Sequence, residues 1–144
     1  MRHLLPMLFA LVGLGLSACG GGAVSPASIQ PLESPVPVSL SSAQQQVVAR
    51  DVRPAIQNAL TGGQDLDAAT AEFSDMQAVQ AQGKTWVCGR AKVVDVQLNS
   101  PRQIAYTGEL VRDVLFVRDY IGGNATQNAF VADICAKRGM KLGG

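Results

Sequence analysis

Histidine is nearly absent from this chain: of 144 residues one is histidine, and it stands at position 3. His3 and Arg2 precede an apolar run over residues 4–16, and this charge and length pattern is typical of an export signal that is removed from the mature protein. The run is too short to cross a bilayer, which takes about 20 apolar residues. Without this segment no imidazole remains. That absence excludes a Ser-His-Asp or Cys-His nucleophile system, a histidine general base and a histidine metal ligand.

Charged residues are also scarce, at 16% of the chain, and the two signs balance. There are 12 Lys+Arg and 11 Asp+Glu, so removal of Arg2 leaves 11 of each. Proteins that bind nucleic acid carry a clustered positive excess. The composition therefore argues against a nucleic-acid partner.

The apolar run ends in Leu16-Ser17-Ala18-Cys19, which resembles the lipobox of bacterial lipoproteins. The resemblance implies cleavage before Cys19 and attachment of acyl chains such as palmitate, so that membrane lipid becomes a partner. Two or three chains, at about 0.8 kcal/mol per buried methylene, hold a protein on a membrane almost irreversibly. Gly20 stands where Asp would mark inner-membrane retention, which favours the outer membrane, facing the periplasm. The alternative is a plain secretory signal cleaved near the same small residues.

Of the three cysteines, Cys88 and Cys135 remain once Cys19 is assigned to lipid. An even pair in an oxidising compartment predicts a disulfide, and closing a loop of about 48 residues is worth roughly 4 kcal/mol in the chain-entropy model. The alternative is a reactive or metal-binding thiol pair, but C-x-x-C spacing and a histidine are both missing. We expect neither a metal nor a cofactor.

The segment from residue 19 to residue 42 is rich in proline, serine and glycine. Such a composition predicts an extended tether, which would place a single domain at residues 43–144. About 100 residues are enough for one domain with one core. The alternative is that residues 36–40 add an edge strand to that domain.

A first helix is predicted over residues 44–60, where apolar residues recur at helical spacing. Ser41 or Ser42 can cap its start, and Pro54 must kink or restart it. Residues 61–63, which include two glycines, suit its end.

Further along, Asp67 can cap a second, short helix over residues 68–73. Gln82-Gly83 indicates a turn, and residues 85–98 are rich in β-branched side chains, which favours a strand. Residues 104–120 fit a strand or a helix by periodicity, and their Val and Phe content favours a strand.

A last helix is predicted over residues 126–139, with Cys135 beside its apolar face. With residues 74–81 as the first strand, the element order is α-α-β-β-β-α. This order favours an α+β domain, a three-stranded antiparallel meander packed on helices. The disulfide would fasten the last helix to the second strand.

Residues 67–73, 87–89 and 106–108 resemble the D-P-x-S-A-x-F, V-C-G and G-Y-x-G motifs of small exported proteins of Proteobacteria. Ala68 replaces the proline, Ala105 replaces the first glycine of the last motif, Thr70 stands for the serine, and no Asn-rich turn follows V-C-G. The resemblance implies an envelope location and a disulfide from that cysteine. It implies no known reaction, cofactor or substrate.

Candidate catalytic side chains are few. A converging carboxylate pair could do glycosidase-type acid–base work, and a serine beside a lysine could act as a nucleophile. Asp65, Asp67 and Glu72 lack the ligand pattern and central glycine of an EF-hand loop, so helix capping is favoured for them. The catalytic candidates are Glu72 with Glu109 or Asp113, and Ser74 or Ser100 with a lysine.

Other polar and aromatic residues indicate surface and core. Arg90 and Lys92 with Asp95 indicate a polar strand face, with a binding patch as the alternative. Arg112-Asp113 and Arg118-Asp119 indicate a charge-balanced surface. Core positions are favoured over ligand stacking for the aromatic residues Phe73, Trp86, Phe116 and Phe130.

Three kinds of function remain. We favour a lipid-anchored, non-catalytic module that binds an envelope protein or a cell-wall component, because a neutral, disulfide-bonded domain without catalytic side chains needs only a surface. The first alternative is a structural accessory subunit of an envelope complex. A carboxylate-dependent or Ser-Lys hydrolase is the least favoured.

Overall fold

The computed structural model describes residues 29–59, 66–117 and 121–143. Cys19, the signal over residues 1–18, Asp65 and Arg118-Asp119 lie outside these ranges. The elements in chain order are β1 (Val36–Val38), α1 (Ser42–Ala59), β2 (Leu66–Ala81), β3 (Lys84–Asp95), β4 (Ser100–Val111), β5 (Val114–Phe116) and α2 (Ala125–Lys137).

The strands form one antiparallel sheet in the order β1-β2-β3-β4-β5, and the helices cover its two faces. The α+β class and the meander are confirmed, but the prediction of three strands is wrong, since the sheet has five. Neither helix within the described ranges has both the length and the apolar character needed to cross a bilayer.

The predicted short helix over residues 68–73 is wrong, because these residues belong to the 16-residue strand β2. Asp67 therefore caps no helix; instead its Oδ1 accepts from the Ala69 N–H at 3.1 Å, and its carbonyl accepts from the Thr70 hydroxyl at 2.8 Å. These bonds lie where the β2–β3 register shifts. Pairing with the long strand β3 outweighs the local helical propensity of residues 68–73. The turn at Asp67 is an irregularity within the strand.

β1 is an edge strand of the sheet. The alternative given for residues 36–40, an edge strand added to the domain, is therefore confirmed for residues 36–38. Val36 lies opposite Gln80 and Val38 opposite Ala78 on β2. Pro37 is tolerated between them because an edge strand has one side without a partner for its N–H groups. Before β1, the Leu32 N–H donates to the Lys137 carbonyl at the end of α2, at 3.1 Å. Leu32 and β1, which belong to the segment predicted as a tether, are therefore packed on the domain.

α1 begins with a reciprocal cap at Ser41. The Ser41 hydroxyl accepts from the Gln44 N–H at 3.2 Å, and the Gln44 side chain accepts from the Ser41 N–H at 2.9 Å. This capping box confirms the predicted start of the helix. The helix contains Pro54 and continues to Ala59, so it does not restart there, and the alternative of a kink stays a prediction.

The β2–β3 turn is confirmed at Gln82-Gly83, where both residues have positive φ, 53° and 75°, as a two-residue type I′ hairpin requires. The predicted strand over residues 104–120 is divided by the β4–β5 hairpin at Arg112-Asp113. Arg112 takes a φ of 55° there, although no glycine or asparagine marks the turn. α2 is confirmed, with Asn124 as its N-cap.

Successive strand residues point to opposite faces of the sheet, and this separates two apolar clusters. The cluster under α1 contains the fully buried Val48, Val52 and Ile56 of the helix with Val87 and Ala91 of β3. The cluster under α2 is smaller; its buried members are Val79, Cys88, Ala105, Val131, Cys135 and Met140.

Candidate ligand-binding cleft between α2 and the sheet

The two candidate carboxylates on the strands do not converge. Glu72 lies opposite Lys92 of β3, and Glu109 lies opposite Trp86, six residues along the same strand. Six residues span about 20 Å, whereas the carboxylates of a glycosidase stand roughly 5–10 Å apart. Asp113 lies beyond Glu109 at the tip of the β4–β5 hairpin, farther still from Glu72. Glu109 instead forms an ion pair with Lys84 at 3.4 Å.

The two candidate serines have no lysine opposite them. Ser74 faces Arg90 across the β2–β3 pair, and Ser100 faces Asp95 across the β3–β4 pair. In the described part of the chain, no three His, Cys, Asp or Glu side chains are grouped so as to hold a metal ion.

The disulfide between Cys88 of β3 and Cys135 of α2 is present, with the two Cα atoms 6.0 Å apart. Both cysteines are fully buried. Thr107 lies opposite Cys88 on β4, with its Oγ 3.2 Å from the Cys88 Sγ, and donates a hydrogen bond to the Val87 carbonyl at 3.0 Å. A bridge with no exposed sulfur is placed to fasten α2 to the sheet rather than to react with other thiols.

Arg138, just after α2, is a second attachment of the helix end to the sheet. Its Nη1 donates to the Thr107 hydroxyl at 2.6 Å, and its guanidinium carbon lies 3.9 Å from the centroid of the Trp86 ring. The side chain is 6% exposed. A cation stacked on an indole and bonded to a buried hydroxyl stabilises this packing. Trp86 is therefore a packing residue, as predicted, but its partner is a cation.

Asn128 attaches the first turns of α2 to the sheet. Its Oδ1 accepts from the Ala105 N–H at 2.8 Å, and its Nδ2 donates to the Gln103 carbonyl at 2.7 Å. β5 pairs with β4 over three residues, so it does not reach this part of β4. The Asn128 amide therefore takes the place of a neighbouring strand. Gly122 allows this approach, because a Cβ there would overlap the Asn128 side chain.

Between these two attachments α2 carries small side chains, and a cleft of about 210 Å³ opens beside them. Ala129 and Ala132 form the helix wall, and Ala105 of β4 forms the floor. Leu142 closes another side, in a segment held where the Gln77 side chain donates to the Lys141 carbonyl at 2.6 Å.

Arg90 and Gln103 are the longer polar side chains at the cleft. Arg90 is half-buried on β3, on the same face as Cys88, and lies opposite Ser74 and Ala105. Among the described residues no carboxylate lies within ion-pair distance of its guanidinium. One end of the cleft therefore carries the positive charge of Arg90, and its walls are formed by apolar side chains.

The predicted polar face of Arg90, Lys92 and Asp95 needs correction. Asp95 points to the α1 side of the sheet and is buried there, where it pairs with Arg102 at 2.8 Å and accepts from the Leu98 N–H. Arg90 and Lys92 remain together on the α2 side. The positions of Asp95 and Lys92 differ by three, an odd number, and this places the two side chains on opposite faces of the strand.

The core prediction holds for two aromatic residues and fails for a third. Phe73 packs edge-on against Tyr106 at 6.0 Å, and Phe130 packs against the cluster under α2. Phe116 is 46% exposed, because it lies on the edge strand β5. Val111 and Val114 are exposed beside it.

The segments that carry the resemblance to exported proteins are paired in space. Residues 87–89 and 106–108 lie opposite each other, so that Cys88 faces Thr107 and Gly89 faces Tyr106. A Cβ at Gly89 would collide with the Tyr106 ring, and this explains the glycine. The motif residues serve packing and the disulfide.

Comparisons with models of protein families, with curated proteins and with solved structures find no match for this chain. The side chains that line the cleft in the described residues are Arg, Gln, Asn, Ile, Leu and Ala, none of which is a nucleophile or a general base. The chemistry available there is recognition of a small group by one cation, amides and apolar walls.

Proposed function

We propose that this chain is a lipid-anchored, non-catalytic binding module of the bacterial cell envelope. The observation that carries the proposal is the cleft beside α2, which offers a cation and apolar walls without a nucleophile. The lipobox at residues 16–19 supports attachment through Cys19, and the glycine at position 20 supports the outer membrane. Its partner is an envelope protein or a cell-wall component.

The separation of the acidic side chains supports binding rather than hydrolysis. General acid–base catalysis needs two groups within reach of one substrate bond, and the β3 register keeps Glu72 and Glu109 about 20 Å apart. A buried disulfide, a buried Arg138 and the Asn128 contacts hold the cleft walls in a fixed geometry. Fixed walls lower the entropic cost of binding.

A structural accessory subunit of an envelope complex remains the second candidate, favoured by the exposed side chains of Val111, Val114 and Phe116. The backbone of β5 is not available for strand addition at its centre, because the Leu115 N–H donates to the Asp51 carboxylate at 2.8 Å. The Asp113 carbonyl likewise accepts from Arg50 at 2.8 Å. A partner would therefore contact the side chains of this hairpin.

The anchor is tested by labelling cells with a radioactive fatty acid and fractionating the membranes. We expect label on the parent chain in the outer membrane and none on Cys19→Ser, because the acyl-acceptor thiol is gone. Equal labelling of both chains would contradict the anchor.

The binding function is tested by crosslinking in intact cells. We expect a reproducible partner whose yield falls with Ala132→Leu, which fills the cleft. A partner lost with Phe116→Ser but kept with Ala132→Leu would favour the accessory subunit. Turnover of ester, peptide or glycan substrates that disappears with Glu72→Gln or Glu109→Gln would contradict a non-catalytic role.

A further inference from the structure

We propose that the cleft between α2 and the sheet binds the free carboxylate end of a peptide whose last residues have small apolar side chains, and that Arg90 holds this carboxylate. The assignment rests on the proposed binding function and names its ligand class. It follows from the charge, the size and the lining of the cleft.

Charge complementarity favours an anion. Arg90 is half-buried beside apolar walls, and no described carboxylate lies within ion-pair distance of it. Lys92, next on the same face, does not line the cleft. Arg90 is thus the cation at this cleft whose charge is left for a ligand. Its planar guanidinium can donate two parallel hydrogen bonds to a carboxylate.

The size of the cleft favours a small ligand end. Its volume of about 210 Å³ is below the range of roughly 300–1,000 Å³ typical of sites for drug-sized molecules. This room suits one terminal residue with a methyl-sized side chain and its preceding peptide group.

The lining favours a peptide over a bare anion. Ala105, Ala129 and Ala132 form an apolar surface that inorganic phosphate would leave uncovered. Gln103 carries an amide at the cleft that can donate to or accept from a peptide group. A peptide end can contact all three kinds of surface in the cleft: its methyl side chain packs on the alanines, its peptide group bonds to Gln103, and its carboxylate pairs with Arg90.

The proposal is tested by titrating the isotope-labelled full chain, purified in detergent, with N-acetyl-Ala-Ala and with its C-terminal amide. We expect saturable chemical-shift changes at the amides of Ala105 and Ala129, and at least tenfold weaker binding of the amide. Equal binding of acid and amide would overturn the proposal, as would no shift change at tens of millimolar peptide. Binding of inorganic phosphate as tight as that of the acid would also overturn it.

Arg90→Gln and Lys92→Gln form a matched pair, since both remove a cation from the same face of β3 and Lys92 does not line the cleft. We expect Arg90→Gln to weaken the acid at least tenfold and Lys92→Gln to change it less than twofold. Equal effects of the two variants would overturn the role of Arg90. If Arg90→Gln does not fold, Ala132→Leu takes its place, with loss of peptide binding expected and unchanged binding contradicting the site. The peptide proposal and the binding function can fail separately. If no peptide binds in these titrations but the crosslinked partner is still lost with Ala132→Leu, the peptide proposal is rejected and the binding function is retained.

Discussion

The two faces of the sheet are attached to their helices by different physical means. α1 is held by a stripe of buried aliphatic side chains, Val48, Val52 and Ile56, which pack on the apolar side of the central strands. α2 is held by the disulfide at one end and by Asn128 at the other. The cleft lies where α2 presents Ala129 and Ala132 between these attachments, because such small side chains do not fill the space against the sheet.

The largest expected effect is on the α2 side. Replacing both bridge cysteines, Cys88→Ala with Cys135→Ala, should lower the free energy of unfolding by about 4 kcal/mol, because the unfolded chain regains the entropy of a loop of about 48 residues. Urea titration followed by circular dichroism measures this loss. Cys19→Ser, which removes a cysteine outside the domain, serves as the control and should leave the value unchanged. A loss below about 1 kcal/mol in the double variant would contradict the role assigned to the bridge.

The second prediction concerns the other attachment of α2. Asn128→Ala should lower the free energy of unfolding by about 2 kcal/mol, because two backbone groups of β4 lose their partners. Asn124→Ala removes the N-cap of the same helix and should cost about 1 kcal/mol. The same urea titration compares them. A larger loss for Asn124→Ala would mean that Asn128 does not replace a strand.

The third prediction concerns Tyr106 on the α1 side of the sheet, where a substitution should raise the free energy of unfolding rather than lower it. The Tyr106 hydroxyl is buried without a hydrogen-bond partner in the described part of the chain, so Tyr106→Phe should stabilise the protein by about 1 kcal/mol. Burial also raises the pKa of Tyr106 above its ordinary value of 10.0. The neutral form is therefore favoured in the folded state, and the parent chain should lose stability as the pH rises above 10.

Tyr106→Phe should lack this part of the alkaline loss. Unfolding curves of the parent and the variant at pH 8 and pH 11 measure how much stability each chain loses, and the difference between the two losses is the contribution of Tyr106. A destabilised variant at pH 8 would show that the hydroxyl has a partner.

The smallest effect is expected at the outer edge of β5. Hydrogen bonding from Arg50, joined by the Leu115 N–H, holds the pKa of Asp51 below its ordinary value of 3.8. A lowered pKa in the folded state adds stability above the unfolded value, and this contribution is lost as the pH falls through the folded value.

Asp51→Asn should therefore cost less than about 1 kcal/mol at pH 7, and the difference from the parent should shrink below pH 4. Thermal unfolding between pH 2.5 and pH 7 measures this dependence. Asp133→Asn, in an exposed pair with Lys137 on α2, is the matched control. A difference at Asp51 that grows as the pH falls would contradict the ion pair.

Local signals in the sequence predicted the elements that depend on local bonds. The Ser41 cap, the Gln82-Gly83 turn and α2 are each determined by hydrogen bonds within a few residues, and the pairing of Cys88 with Cys135 followed from counting. The strand over residues 68–73 could not be predicted in this way, because its conformation is imposed by pairing with β3.

The cleft was beyond prediction for the same reason. Arg90 was recognised as a polar strand residue, but its place depends on where α2 crosses the sheet. Asn128 and Arg138 carry no sequence signal for their roles, since each contacts a strand 20 or more residues away. Strand alternation alone separates Asp95 from Arg90, since their positions differ by five, but the pairing of Asp95 with Arg102 joins two strands and carries no local signal.

Hydrogen exchange on the Cys88→Ala, Cys135→Ala variant tests most directly the claim that the two faces are held independently. The account predicts that the amides of α2 lose more protection than those of α1 and of the central strands, because α2 then opens locally, whereas the amides beneath α1 lose only what the global free energy of unfolding loses. An equal loss in both helices would show that the two faces open as one cooperative unit and would contradict the account.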